Sequence, residues 1–362
     1  LITPDRNATP VPALSFSSDN ITPASPEVVD ALVAANQGAL HAYGEDPHTE
    51  RLTAIATALF ETEVAVYPVT TGTAANALAL SVLTPPYGAV YCHETAHIAT
   101  DECGAPEFYT GGAKIVGLPS PDGKLVPQQL EAPLRHATDL GVHHVRPAAL
   151  SLTQSTEWGT VYTPDEVRAL ADKSHANGLG VHMDGARLAN AIVNLGCTPA
   201  EITWKAGVDV LSLGATKNGA LAAEAVIFFD RARIAGFESR RKRAGHLWSK
   251  MRFLSSQLTA YLEHGLWLRN ARQANAMAAR LAAGLASIPN VRLVQPVQAN
   301  ELFVAMPDEL IQALLTEGFE FYRWAAPPGV SGPVVRLVTS FCTAPADVDV
   351  LVAATRRRAP IG

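Results

Sequence analysis

The chain has 362 residues, 48% of them apolar and 17% charged, and carries a formal net charge of −6. That size and apolar content describe a folded protein, built as one large domain or a large and a small one, and exclude a disordered chain. The acidic balance gives no reason to expect nucleic acid or membrane as partners, and Arg240-Arg241-Lys242-Arg243 and Arg356-Arg357-Arg358 read as solvated helix ends.

Residues 1–24 read as an extended arm, with prolines at 4, 10, 12 and 23. Ser25-Pro26-Glu27 is a helix start, a capping hydroxyl followed by proline at the first helical position. Asp46-Pro47 repeats that signal for a helix through Phe60. Glu63–Val69 is a strand, and Thr70-Thr71-Gly72-Thr73-Ala74-Ala75-Asn76 leads from it into a helix to about Leu83. Such a turn is an anion site, because free N–H groups and the positive end of the helix dipole face the gap. A phosphate monoester suits it, since no Gly-x-x-x-x-Gly-Lys signature argues for a nucleotide triphosphate. Read alone, the segment is also an ordinary capped helix.

Strands and helices continue to alternate. Ala89–Cys92, Lys114–Leu118, Pro147–Thr153, Leu179–Met183, the run from Val208 and Ala225–Phe229 are expected strands, with helices near 127–137, 164–177 and 198–206. His97–Cys103 is a loop or short helix. The alternation predicts an α/β fold with a mostly parallel sheet covered on both faces and ligands beyond the strand C-termini. The Thr71, Glu157, Asp184 and Lys217 segments all fall at such ends. Residues 230–289 are helical in pattern. Strands at 291–297, 302–306, 319–324 and 334–339, with helices near 307–316 and 345–357, then predict a smaller α+β domain. The boundary falls within 265–290, giving a large domain of 25–270 and a small one of 271–362.

Cys92, Cys103, Cys197 and Cys342 form no CxxC pair, so neither a disulfide framework nor a cysteine-built metal site is expected, and a reducing, cytoplasmic compartment is. No apolar leader and no stretch long enough to span a bilayer is read in the sequence.

Of seven lysines, only Lys217 follows a buried strand and sits among small residues, in Gly214-Ala215-Thr216-Lys217-Asn218-Gly219. An ammonium there is costly unless it has a partner or a task, and desolvation favours the neutral amine that forms a Schiff base. The bland alternative is a loop lysine that reaches solvent. Asp184 ends another apolar run and calls for a fixed partner. A Schiff-base lysine, an acid for a ring nitrogen and a phosphate cradle are what pyridoxal 5′-phosphate (PLP) requires.

With these parts the chain resembles the fold-type-I PLP enzymes, and among them the low-specificity L-threonine aldolase family. The likeness runs through Ser18-Asp19-Asn20, Tyr43-Gly44-Glu45-Asp46, Gly72–Asn76, Ala96-His97, His182–Arg187 and Arg336-Leu337-Val338-Thr339. It is similar to the bacterial branch that also acts on phenylserine, through Asp101–Phe108 and Gly214–Gly219.

The resemblance implies Lys217 as the covalent anchor, Asp184 at the pyridine nitrogen, Gly72 and Thr73 at the phosphate, and His97 stacked on the ring. It implies Arg187 near the cofactor and the substrate carboxylate, Ser18 at the substrate, Arg336 gripping the substrate carboxylate, and Arg252 reaching the phosphate of a neighbouring subunit. Read alone, His97 is a surface or core histidine, Arg336 an interdomain ion pair and Arg252 a surface arginine. Glu157 stands where many members have a second histidine, so the β-hydroxyl proton falls to His97 with Asp101, to Glu157, or to a water. No metal is called for. The activity implied is reversible cleavage of threonine, allo-threonine and related β-hydroxy-α-amino acids, phenylserine included, to glycine and an aldehyde, by a homodimer or homotetramer. Transaldolation or β-elimination at the same site, and an inactive scaffold of the same fold, are the alternatives.

Overall fold

The computed structural model describes residues 14–327 and 329–359. The first part of the expected N-terminal arm, with Pro4, Pro10 and Pro12, lies outside the described residues. The large domain is a seven-stranded sheet: β1 (Ala65–Val69), β2 (Gly88–His93), β3 (Lys114–Leu118), β4 (Arg146–Thr153), β5 (Gly180–Gly185), β6 (Val210–Leu213) and β7 (Glu224–Phe228). They lie in the order β1-β7-β6-β5-β4-β2-β3. Every pairing from β6 to β3 is parallel, while β7 runs antiparallel to both its neighbours. This is the α/β architecture expected, a mostly parallel sheet. The one reversed strand has a consequence for the site: its first residue, Glu224, pairs with Val69 and so sits at the edge where the parallel strands end.

Strands β2, β5, β6 and β7 are buried at every residue, as a mostly apolar sheet under helices on both faces requires. His93, His182, Asp184, Ser212 and Glu224 are the polar residues built into them. His182 on β5 shares hydrogen bonds with Ser151 Oγ on β4 and Ser212 Oγ on β6, each at 2.9 Å, tying three strands together. Burial pushes its pKa down to about 4, so it serves as a neutral imidazole.

The small domain is an antiparallel sheet of β8 (Arg292–Leu293), β9 (Glu301–Ala305), β10 (Tyr322–Trp324) and β11 (Val334–Val338), ordered β10-β11-β9-β8. Helices Asp308–Thr316 and Pro345–Arg358 cover it, and the far half of helix Leu266–Leu285 contributes Ala278, Leu281 and Leu285 to its core. Phe16 joins the same core, its N–H donating to Glu320 O and its C=O accepting from Val338 N. The described end of the arm is therefore part of the small domain's packing. Several details differ from expectation. Helices Ala105–Thr110 and Leu188–Leu195 were not foreseen. The strand expected over 291–297 is reduced to Arg292–Leu293, and that expected over 319–324 is only Tyr322–Trp324. No helix among the described residues is long and apolar enough to cross a membrane.

Candidate active site

The sheet edge opens into a cavity of about 310 Å³ lined by Thr70–Thr73, Asn76, His97, Glu102, Glu157, Asp184, Arg187, Lys217 and Glu224, among others. Lys217 reaches it from a single 3₁₀ turn, Thr216–Asn218, just after β6. The turn is held from beneath. Asn218 Nδ2 donates to Tyr261 Oη (2.9 Å) and Trp267 O (2.8 Å), and Asn270 Nδ2 donates to Asn218 O (2.8 Å). Two glycines make this path possible: a Cβ on Gly214 would strike the backbone of Ala186, and Gly219 has φ +118° with Ser25 and Asn270 crowding the same space.

Facing Lys217, helix Gly72–Leu83 begins at the cavity mouth. Thr71 caps it, its hydroxyl accepting from Ala74 N at 3.1 Å, and the earlier amides of Gly72 and Thr73 have no place in the helical ladder. A Cβ on Gly72 would meet nothing within 4 Å, so there is open space above these amides for an anion.

The cavity wall is a chain of polar side chains. Asp184 accepts from Asn76 Nδ2 at 2.7 Å and from Ala186 N at 3.0 Å. The same Asn76 nitrogen donates to Glu102 Oε1 (2.8 Å), and that oxygen lies 2.8 Å from His97 Nδ1. Glu102 raises the His97 pKa, while burial raises that of Glu102 itself. Glu157 accepts through Oε1 from His97 N (2.8 Å) and Thr153 Oγ1 (2.9 Å). Burial, reinforced by the charge of Asp184, pushes its pKa up to about 7. Glu224 accepts from Ala215 N at 2.7 Å and is likewise pushed up to about 7 by burial.

Gly72, Thr73, His97, Glu157, Asp184, Arg187 and Lys217, all singled out from sequence, line this one cavity. Others do not. Asp101 is exposed and accepts only from the neighbouring Thr100 Oγ1; the carboxylate that reaches His97 is Glu102, so the expected Asp101 partner is corrected by one residue. Ser18 accepts from Asn20 N and leaves the cavity lining to Asn20. Arg252 lies outside the cavity, donating to Gly38 O at 3.1 Å. Arg336 is also outside, stacked on Trp324 with its guanidinium 4.4 Å from the ring centre and 3.8 Å from Glu301.

Sequence reading missed Asn76 as a linker, Glu102, Glu224, and the partners of Arg187. Asp19 and Glu301 hold that guanidinium, at 2.8 Å (Nε to Asp19 Oδ2) and 3.1 Å (Nη1 to Glu301 Oε2). A glutamate inside the apolar run Ala222–Phe229 was the one available signal for Glu224.

A family model described as beta-eliminating lyase matches residues 15–309. The chain is 45% identical to a low specificity L-threonine aldolase of Pseudomonas sp. (strain NCIMB 10558) over 341 residues, covering 94% of this chain and 96% of the relative. The chain belongs to the low-specificity L-threonine aldolase family. A second member, from Pseudomonas aeruginosa, is 45% identical over 314 residues, 87% of this chain and 90% of its own. The solved structure of a Leishmania major threonine aldolase superposes with a TM-score of 0.87 at 30% identity, covering 95% of this chain and 98% of that one.

Threonine aldolases are PLP-dependent lyases, and the cavity fits that cofactor on its own evidence. Asn76 Oδ1, Glu102 Oε2, Ser155 Oγ, Glu157 Oε2 and Thr216 Oγ1 are buried polar atoms without a hydrogen-bond partner, and all five belong to residues of this lining. Such atoms call for a polar occupant. Lys217 would hold its carbonyl carbon, Asp184 its ring nitrogen, and the Gly72–Thr73 amides its phosphate.

Proposed function

We propose that the protein cleaves threonine, allo-threonine and related β-hydroxy-α-amino acids, phenylserine among them, to glycine and an aldehyde, and runs the reverse condensation. The observation that carries this is the meeting of Lys217, Asp184 and the Gly72 helix end in one cavity beside an unengaged carboxylate oxygen. When bound, PLP supplies an electron sink for the pair released from the Cα–Cβ bond. Asp184 keeps a positive charge at the ring nitrogen stable. His97, steadied by Glu102, would cover one face of the ring and keep water from it. Arg187 is the cation for the substrate carboxylate: its guanidinium has five N–H donors, and Asp19 and Glu301 fix its plane without using them all. Holding that carboxylate would select which bond at Cα stands perpendicular to the bound cofactor, and so which bond breaks.

Ser18 is assigned to the substrate and Arg336 to its carboxylate, although neither lines the cavity. Arg252 is assigned to the phosphate of a neighbouring copy, in a homodimer or homotetramer. Exposed Val29, Val33, Leu40, Tyr43 and Trp248 support such an interface, because they lie on elements next to the Arg252–Gly38 contact. A cytoplasmic location is supported by the four free cysteines.

The test is a panel of threonine, allo-threonine, phenylserine and serine on wild type and Lys217→Ala, following aldehyde. We expect release by wild type and none by the variant. Borohydride reduction should place the pyridoxyl label on Lys217. Ammonia and a keto acid in place of glycine and aldehyde would make the protein a β-eliminating lyase instead.

A further inference from the structure

We propose that Glu157 exchanges the proton of the substrate's β-hydroxyl, through Oε2. This rests on the aldolase reading above and names the group that reading leaves open. The two oxygens of Glu157 are in different situations. Oε1 is fixed by two donors, the His97 N–H at 2.8 Å and the Thr153 hydroxyl at 2.9 Å. Oε2 is buried, has no partner, and belongs to a residue lining the cavity. A carboxylate held by one oxygen and idle at the other is positioned to work, since two hydrogen bonds set its plane without occupying its reactive end. Thr153 is also the residue of β4 that pairs with Asp184 on β5, so the strand register fixes Glu157 beside the ring-nitrogen acid.

The rival is His97, and its surroundings count against it. Its Nδ1 is committed to Glu102 at 2.8 Å, an arrangement that favours the protonated ring, and its side chain is 41% exposed. A histidine kept charged is a poor acceptor of an alcohol proton, whereas an acid titrating near neutrality can both take and return one. Besides His97, the charged groups of the cavity around Glu157 are Glu102, Asp184, Arg187, Lys217 and Glu224, with Cys92 behind it. Burial opposes its ionisation most strongly, and the charge of Asp184 adds to it.

In the cleavage direction the β-O–H proton moves to Glu157 Oε2 as the Cα–Cβ bond breaks and the Cβ–O bond becomes the aldehyde C=O. The electron pair of the broken bond stays with Cα, where bound PLP would stabilise it. Cα takes up one proton and leaves as glycine, while Glu157 returns its proton to solvent, so the count closes. In the reverse direction Glu157 donates to the aldehyde oxygen.

The test compares wild-type and Glu157→Gln holoenzyme. Cofactor absorbance and its change on adding glycine should match wild type. Exchange of glycine's α-hydrogen with deuterated water, followed by NMR, needs no hydroxyl base and should persist at the wild-type rate. Threonine cleavage should fall by about 10²–10⁴-fold in kcat, with loss of the acidic limb of the kcat/KM profile near neutrality. Glu157→His, which restores a group titrating near neutrality, should recover part of the rate. Cleavage by Glu157→Gln at the wild-type rate with its pH limb intact would overturn the proposal. So would a parallel loss of glycine exchange or cofactor binding, the mark of a structural role. If wild type releases aldehyde from none of the substrates, the aldolase reading fails first and this inference with it.

Discussion

Two regions of this molecule bury carboxylates, and they do opposite things with them. At the seam between the domains, Asp19 and Glu301 face the guanidinium groups of Arg187 and Arg336, two charges of each sign. Arg187 and Asn300 both donate to Asp19. Burial alone would raise the Asp19 pKa, but the charges of Arg187 and Lys217 outweigh that cost and leave it lowered. Across the cavity wall, Glu102, Glu157 and Glu224 have only amides, hydroxyls and one histidine as direct partners, and burial raises all three. Similar burial thus gives opposite shifts, and the partner decides which. Carboxylates facing a guanidinium are held ionised and tie the scaffold together; those without one bind a proton more tightly than a free carboxylate does.

The largest effect expected from breaking this contrast is at the seam. Arg187→Leu leaves Asp19 and Glu301 buried without their principal cation, which should cost about 3–5 kcal/mol of stability. Urea denaturation of the apo-protein would measure it. A loss within error of zero would mean that the seam is not held by charge pairing.

The sheet and the Lys217 turn were legible in the sequence because their signals are local: apolar runs, small residues, one lysine. The seam was not, since Arg187 finds Asp19 168 residues away and no periodicity encodes that meeting. Helix Leu188–Leu195 escaped for a different reason. It has no side-chain cap, and its start follows directly from Asp184-Gly185-Ala186-Arg187, which reads as a turn. The strand expected over 291–297 contains Pro296, and only two of its residues pair with β9. The choice between Asp101 and Glu102 is a matter of one residue at the end of a four-residue helix. There Cys103 takes φ +51°, and a turn of that kind decides which carboxylate swings inward.

The next effect sets the two regions against each other by pH. Folding raises the Glu224 pKa to about 7, so the folded state holds that proton more tightly than the unfolded one. The stability this contributes is complete below the unfolded value and is lost as pH climbs through about 7. Glu224→Gln should therefore match wild type near the unfolded carboxylate pKa and be more stable at alkaline pH, by on the order of 3 kcal/mol. Asp19 has the opposite sign: its lowered pKa stabilises the fold above the unfolded value and ceases to as pH falls through the folded one. Asp19→Asn should lose stability at neutral pH and approach wild type in acid. Denaturation series on both variants across pH would show diverging slopes; parallel slopes would erase the distinction between seam and wall.

The smallest effect tests whether Glu102 belongs with the wall or with the paired charges, because it has a claim to both. It is buried and raised like Glu157, yet it lies 2.8 Å from a histidine whose pKa it lifts. Glu102→Gln keeps an oxygen for Asn76 and His97 but removes the charge. The His97 pKa should then fall, read directly from the ring resonances in an NMR titration of the apo-protein. Cleavage should slow by about tenfold, ~1.4 kcal/mol of barrier, if His97 covers the cofactor ring and Glu157 handles the hydroxyl proton as proposed. A histidine that titrates as in wild type would show that Glu102 carries its own proton and leaves His97 uncharged by it. His97 would then regain the neutral nitrogen that a base requires, and the division of labour between it and Glu157 would have to be reversed.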